Sequence, residues 1–323
     1  MKRKIVALLT GLILTAGVFT GCGVKEEAEA PIESETIETP AGGEEVNEEH
    51  TMYPLTIEDS FGTAVVLEKK PERIVSVAPS ITETIFALNA EEYLVGRTDY
   101  CDYPLETADV ESIGSLKEPN IEKIVELEAD LVIASTHFSE EVYEKLSDLD
   151  IQVIVLNPND SFEGVFGVIE ALGEITDEST TAEQLIEGMK ASILEVTEKV
   201  KGLEAPSVYY VVGYGEFGDY TAGGDTFISE MIGMANGRNI ADDVEGWSYS
   251  IEKIVEHDPD LLIVSEHYDA KSGVMEANGY KDLRAVKEGN VFEIDNNLID
   301  RQGPRLAEGF SALARLIHPD AFK

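Results

Sequence analysis

Cysteine is nearly missing from this chain: Cys22 and Cys101 are the whole supply in 323 residues, which excludes a fold stapled by several disulfides. The protein must stand on its hydrophobic core. Cations are scarce as well, with 24 Lys and Arg against 64 Asp and Glu. The resulting formal net charge of −40 repels phosphate backbones and so excludes nucleic acid as a partner. The longest apolar run, Ile5 to Phe19, falls short of the roughly 20 residues that cross a bilayer as a helix. Catalytic signatures are lacking too: there is no Gly-x-Ser-x-Gly elbow, no phosphate-binding loop and no His-Glu-x-x-His helix. Gly213-Tyr-Gly-Glu-Phe-Gly218 imitates a dinucleotide fingerprint, but no acidic ribose partner accompanies it and Asp219 would crowd a pyrophosphate. A non-enzymatic protein is expected. Bare-metal transport is disfavoured by counting, since His50 lies in a polar leader, His257 in a helix and His318 at the tail, leaving His137 and His267. No metal or cofactor is expected.

What is present begins with an address. Met1-Lys2-Arg3-Lys4 is a cationic n-region, Ile5 to Phe19 an apolar h-region, and Phe19-Thr20-Gly21-Cys22 closes it with small residues before a cysteine. Residues 1–21 therefore read as a signal peptide, and the closing string resembles the lipobox of bacterial lipoproteins. That resemblance implies lipid on Cys22 and anchorage on the extracytoplasmic face of the cell membrane. Val24 to Glu49 holds ten Glu, one Lys and almost no large apolar residue, so residues 22–52 read as a disordered acidic tether. Cys101, without an internal partner after export, is expected as a half-buried free thiol.

The remainder, 43% hydrophobic and 27% charged over the whole chain, is long enough for about two domains and contains a repeat. Asn120-Ile-Glu-Lys-Ile-Val-Glu-Leu-Glu-Ala-Asp-Leu-Val-Ile-Ala-Ser-Thr-His-Phe138 returns 130 residues later as Ser250-Ile-Glu-Lys-Ile-Val-Glu-His-Asp-Pro-Asp-Leu-Leu-Ile-Val-Ser-Glu-His-Tyr268, with eleven of nineteen positions identical. Each copy opens on a good N-cap and a helical spacing, then passes into a continuous apolar run suited to a strand buried on both faces. The reverse order also occurs: Arg73-Ile-Val-Ser-Val77 precedes a Pro79-Ser80 break and a helical Ile81 to Leu88, and Val208 to Val212 leads through a Gly-rich loop to a helix near Thr226 to Met234. Alternation of this kind predicts α/β architecture with two Rossmann-like parallel-sheet lobes, 53–160 and 204–323. Between them, 161–203 carries helical spacing, and a helix from Ser179 of some 22 residues is about 33 Å long. Such a helix is long enough to run along one side of both lobes as a stiff connector.

Arg73-Ile-Val-Ser-Val-Ala-Pro-Ser-Ile-Thr-Glu83, Gly96-Arg-Thr-Asp-Tyr-Cys-Asp-Tyr-Pro104, the two repeat copies, Tyr220-Thr-Ala-Gly-Gly-Asp-Thr-Phe227 and Asp300-Arg-Gln-Gly-Pro-Arg305 resemble the substrate-binding lipoproteins of ABC importers for cobalamin, iron-siderophores and haem. The resemblance implies a long rigid backbone helix, one ligand held in the cleft between the lobes and a permease dimer with its ATPase as partner, the protein itself being a monomer. Ligands of open parallel sheets sit beyond the carboxyl ends of the strands. The loops expected there carry Pro79, Ser80, Tyr100, Tyr103, His137, Tyr214, Phe217, Tyr220, Trp247, Tyr249, His267 and Tyr268, and Pro79, Ser80, Tyr100, Tyr103, Tyr220, Trp247 and His267, with Arg301, are taken as ligand-binding. A large planar ligand would bury against such aromatic faces. Arg97, Lys117, Arg284, Arg301 and Arg305 are the available cations for an anionic siderophore, and His267 falls where haem-binding relatives can supply an axial ligand, with Lys117 in place of their Met. The string Thr98 to Pro104 is most like the cobalamin binders, which places a corrinoid first, a ferric siderophore second and haem third. Glu122 and Glu252, second in their helices, suit the helix dipole. The resemblance gives them a further role, one exposed Glu per lobe offered to Arg residues of the permease. A surface adhesin would use the same anchor and tether but would not need two matching lobes.

Overall fold

A computed structural model describes residues 50–323, so the signal peptide, the lipobox at Cys22 and most of the tether lie outside the described residues. Within them no helix is long and apolar enough to cross a membrane. Eleven short strands are formed: β1 Leu55–Glu58, β2 Ala64–Leu67, β3 Ile74–Ser76, β4 Leu94–Arg97, β5 Glu111–Ser112, β6 Leu131–Ala134, β7 Gln152–Val155, β8 Ser207–Val211, β9 Arg238–Asn239, β10 Leu261–Ser265 and β11 Val291–Ile294. The pair β1 and β2 makes an antiparallel hairpin. All other pairings are parallel, in a five-stranded sheet of order β5-β4-β3-β6-β7 and a four-stranded sheet of order β11-β10-β8-β9.

The repeat copies take equivalent places. Each gives a helix, Ile121–Glu126 or Ile251–His257, capped by the side chain of Asn120 or Ser250 accepting from the backbone N–H of Lys123 or Lys253. Each then gives an inner strand, β6 or β10, whose apolar residues are buried on both faces, as strands between two helical layers require. The helix after β3 begins at Pro79 itself instead of after a break there. Proline at the first helical position lacks only an N–H that would have been unpaired, and its fixed φ already suits a helix.

Two helices, Phe162–Thr176 and Ser179–Val200, join the lobes, and the second has the expected 22 residues. Both pack into one continuous core that draws residues from each lobe, including Ile81, Ile133, Leu172, Val208, Met231 and Phe310. Phe162 belongs to it, with its ring edge-on to Phe227 at 5.1 Å and to Phe310 at 5.8 Å between centroids. A helix at Leu306–Ile317, unforeseen above, lies along Ser179–Val200 and carries Phe310 inward. Smaller cores lie on the outer side of each sheet, around Tyr209 and Tyr280 in one lobe and around Val132 and Ile124 in the other. The lobes are thus welded through shared apolar packing on one side and left to face each other across a gap on the other.

Candidate functional site

That gap is a cleft of about 470 Å³ lined from both lobes. The first lobe contributes the turn after β3 at Ala78, Pro79 and Ser80, the turn after β6 at Ser135 to His137, and Pro158 and Asp160 beyond β7. All lie past the carboxyl ends of parallel strands. The second lobe contributes Asp225 to Ile228 at a helix start, Trp247, and Ile299 to Gln302. Four of the expected ligand-binding residues, Pro79, Ser80, Trp247 and Arg301, therefore meet on one surface.

Trp247 owes its place to glycines. A Cβ on Gly223 would stand 2.5 Å from the carbonyl oxygen of Gly246, and one on Gly224 would stand 2.3 Å from that of Asp242. Only glycine allows the two backbones so close. The approach is sealed by hydrogen bonds from Gly223 N to Gly246 O, Gly224 N to Val244 O and Thr221 N to Trp247 O, each 2.8 to 2.9 Å long. Asp225 adds a carboxylate that accepts from Gly246 N at 2.7 Å. The Tyr220-Thr-Ala-Gly-Gly motif is in this way a bed for the loop that presents an indole, about half exposed, to the cleft.

The remaining expected residues lie off this lining. Tyr100 is exposed, and Tyr103 lies flat beneath the Arg305 guanidinium, 3.8 Å from its ring centroid. Tyr220 borders a separate hollow on the second lobe with Tyr214 and Glu216. His267 stands with its Nε2 3.5 Å from an Asp295 carboxylate oxygen and 3.3 Å from Asn297 Nδ2. Glu266, His267 and Asp295 offer ligand atoms within 4.8 Å of one another, at the ends of β10 and β11. His137, the counterpart of His267 in the first copy, is on the lining. Tyr249 requires correction: it is buried in the second lobe's outer core, its hydroxyl donating to Ile240 O at 2.8 Å. Cys101 is a free thiol, as expected, but fully and not half buried, with Sγ 3.1 Å from the Thr82 hydroxyl and 3.2 Å from that of Thr98.

Electrostatics at the cleft floor are set by a cluster that joins the lobes, which sequence reading did not anticipate. Glu83, with a side chain only 2% exposed, accepts from Arg305 through both oxygens, at 2.8 Å from Nε and 2.7 Å from Nη2, and from Arg301 Nη1 at 3.1 Å. Arg301 Nη1 also donates to Asp102 at 2.5 Å. The hydrogen bond from Arg301 holds the Asp102 carboxyl below its ordinary pKa, whereas removal from bulk water raises that of Asp300, whose surface stays open to the cleft. Gln302 completes the bridge by donating to Asp160 at 2.6 Å. The other candidate cations are engaged elsewhere or absent from the lining: Arg97 donates to the carbonyls of Thr98 and Thr107, Arg284 pairs with Asp258 and Asp260, and Lys117 is exposed.

Glu122 and Glu252 are exposed in the first turns of their helices, and among the described residues neither forms an ion pair. Their neighbours Lys123 and Lys253 are turned to other acids, Lys123 to Glu111 and Glu126, Lys253 to Asp243.

A family model described as periplasmic binding protein matches residues 74–298. Among relatives, the uncharacterized ABC transporter substrate-binding lipoprotein YvrC of Bacillus subtilis is 33% identical over the full length of both chains. A cobalamin-binding protein of Halobacterium salinarum is 30% identical over 82% of this chain and 74% of its own. Among solved structures, a possible iron-binding (periplasmic solute-binding) protein from Staphylococcus epidermidis superposes with a TM-score of 0.69 at 28% identity, covering 77% of this chain and all of the other.

Proposed function

The chain belongs to the periplasmic binding protein family of ABC importers, and from that premise we propose that it captures a corrinoid in the interlobe cleft and delivers it to a permease. It is a binding protein and not an enzyme. The observation that carries the ligand class is the charge of the lining. Asp160, Asp225 and Asp300 face the cleft, and the one Lys or Arg on its lining among the described residues, Arg301, is already compensated by Glu83 and Asp102. Catecholate and carboxylate siderophores and haem bring anionic groups into such a surface, where like charges repel. A corrinoid rimmed by carboxamides brings polar groups without net negative charge, and its flat macrocycle can bury against Trp247. The cobalamin-binding relative from Halobacterium salinarum points the same way. The haem reading has one observation of its own, the His137 imidazole on the lining as a candidate axial ligand.

Delivery is assigned to Glu122 and Glu252. They are equivalent, exposed and, among the described residues, without an ion-pair partner, one on each lobe, which suits two acceptors related by the twofold of a permease dimer. Anchorage is assigned to lipid on Cys22, with 22–52 as the tether, 53–160 and 204–323 as the lobes and 161–203 as the connector. The lipoprotein relative from Bacillus subtilis supports this placement. The ligand is tested by incubating the purified mature protein separately with cyanocobalamin, haemin and a ferric siderophore, then desalting. Corrin absorbance should elute with the protein. Retention of haemin or the siderophore, with cyanocobalamin left free, overturns the corrinoid assignment.

A further inference from the structure

Arg301 and Arg305 come from the second lobe, while Glu83 and Asp102 come from the first. Two guanidiniums meet two carboxylates, so the cluster carries no net formal charge. Arg301 alone among them lines the cleft, with its side chain 14% exposed. Its protein partners are both held by Nη1, and Nε and Nη2 have none among the described residues. Asp102 is the accessible member, its side chain 65% exposed, and Glu83 the buried one. We propose that Asp102 and Glu83 are specificity determinants of the cleft: they cancel the charge of Arg301 while leaving it free N–H groups, making it a donor to neutral acceptors such as carboxamide oxygens and no clamp for anions.

The chemistry follows from what each ligand class asks of a guanidinium. A carboxylate or catecholate oxygen gains most from an uncompensated, bidentate cation. Beside an arginine already shared by two carboxylates, an incoming anion meets repulsion from them at nearly the distance at which it meets attraction. An amide oxygen has no net charge to be repelled and takes the hydrogen bond alone. The three lining aspartates act in the same sense. Specificity of this kind comes from an element set against the wrong ligand as much as from contacts with the right one.

This inference rests on the corrinoid reading, and its test separates the two. Trp247, the only tryptophan of the chain, lines the cleft, so quenching of its fluorescence reports occupancy directly. The probes are cyanocobalamin, neutral and amide-rimmed, and a ferric triscatecholate, a trianion. Asp102→Asn leaves the cluster with one uncompensated positive charge, by a near-isosteric change at an exposed side chain. The affinity ratio of triscatecholate to cyanocobalamin should rise by about tenfold or more over the parent. Adding Arg301→Gln should remove that rise. An unchanged ratio, or a rise that survives Arg301→Gln, overturns the proposal. Should the parent bind no cyanocobalamin, the corrinoid reading falls, and the triscatecholate affinities of the parent and the two variants still decide the role of Asp102.

Discussion

Replacing Glu83 by Ala removes the carboxylate on which two arginines converge. Three hydrogen bonds are lost, and Arg305, with a side chain 13% exposed, loses its hydrogen-bonded carboxylate and keeps the face of Tyr103 and the more distant Asp102 charge. Arg301 retains Asp102. Removing one partner from a buried ion pair costs about 3 to 5 kcal/mol, because the charge left behind is neither hydrated nor paired. In a domain of this size each kcal/mol moves the midpoint by about 2 to 4 °C, so thermal unfolding followed by circular dichroism should fall by roughly 6 to 20 °C. A companion variant separates charge from packing. Glu83→Leu combined with Arg305→Met removes both ionic partners and should recover at least half of the loss, since apolar replacements for buried pairs are often neutral or stabilising. A fall of under about 1 kcal/mol for Glu83→Ala, the range of a solvent-exposed pair, would refute the claim that this cluster is a buried weld between the lobes.

Further outcomes follow from other sites. Asp260 has its pKa lowered to about 2: burial alone would raise it, but hydrogen bonds from the Ser207 hydroxyl and backbone and from Arg284 more than offset that. A lowered folded-state pKa contributes stability that is complete above the unfolded value near 3.8 and is lost as pH falls toward 2. Urea titrations of Asp260→Asn should therefore show a shallower loss of stability between pH 4 and 2, by about 1 kcal/mol after allowance for solvent screening. An acid limb identical to the parent's would remove Asp260 as its source. Glu122→Ala and Glu252→Ala should leave ligand affinity intact while weakening capture by permease-containing membranes, with the double variant weaker than either; normal docking by the double variant returns both residues to helix stabilisation alone. Cys22→Ser should release the protein from the membrane fraction or stall its processing, because firm anchorage needs the lipid. Membrane retention of the Cys22→Ser protein after normal cleavage would show that something other than lipid on Cys22 holds it there.

Legibility in the sequence tracked the range of the interaction. The caps at Asn120 and Ser250, the strands that follow them and the 22-residue helix from Ser179 rest on contacts a few residues apart, and periodicity displays those. Tyr249 misled because a loop position and an aromatic ring suggest a cleft, while its hydroxyl had a partner, Ile240 O, only nine residues away in the core. Cys101 was legible as a free thiol, but its full burial was not, because it depends on the hydroxyls of Thr82 and Thr98 that close around its sulfur. Arg301 was named for the cleft, but its pairing with Glu83 spans 218 residues and depends on how the lobes meet, which no local pattern encodes. The helix at Leu306–Ile317 had a usable signal in Leu306, Phe310, Leu313 and Ile317, all buried and helically spaced, and it sets the Arg301 to Arg305 segment against the first lobe. The Gly223-Gly224 pair was visible as a motif, while its reason, two backbones in contact beneath Trp247, needed the third dimension.

The central claim is that the cleft beside Trp247 holds a corrinoid, and isothermal titration of cyanocobalamin into the parent protein and into Trp247→Ala tests it most directly. The parent should bind one equivalent, and the variant should bind about 1 to 3 kcal/mol more weakly, as expected for loss of an aromatic face from a buried ligand. An absence of binding by the parent, or an affinity that Trp247→Ala leaves unchanged, would contradict it.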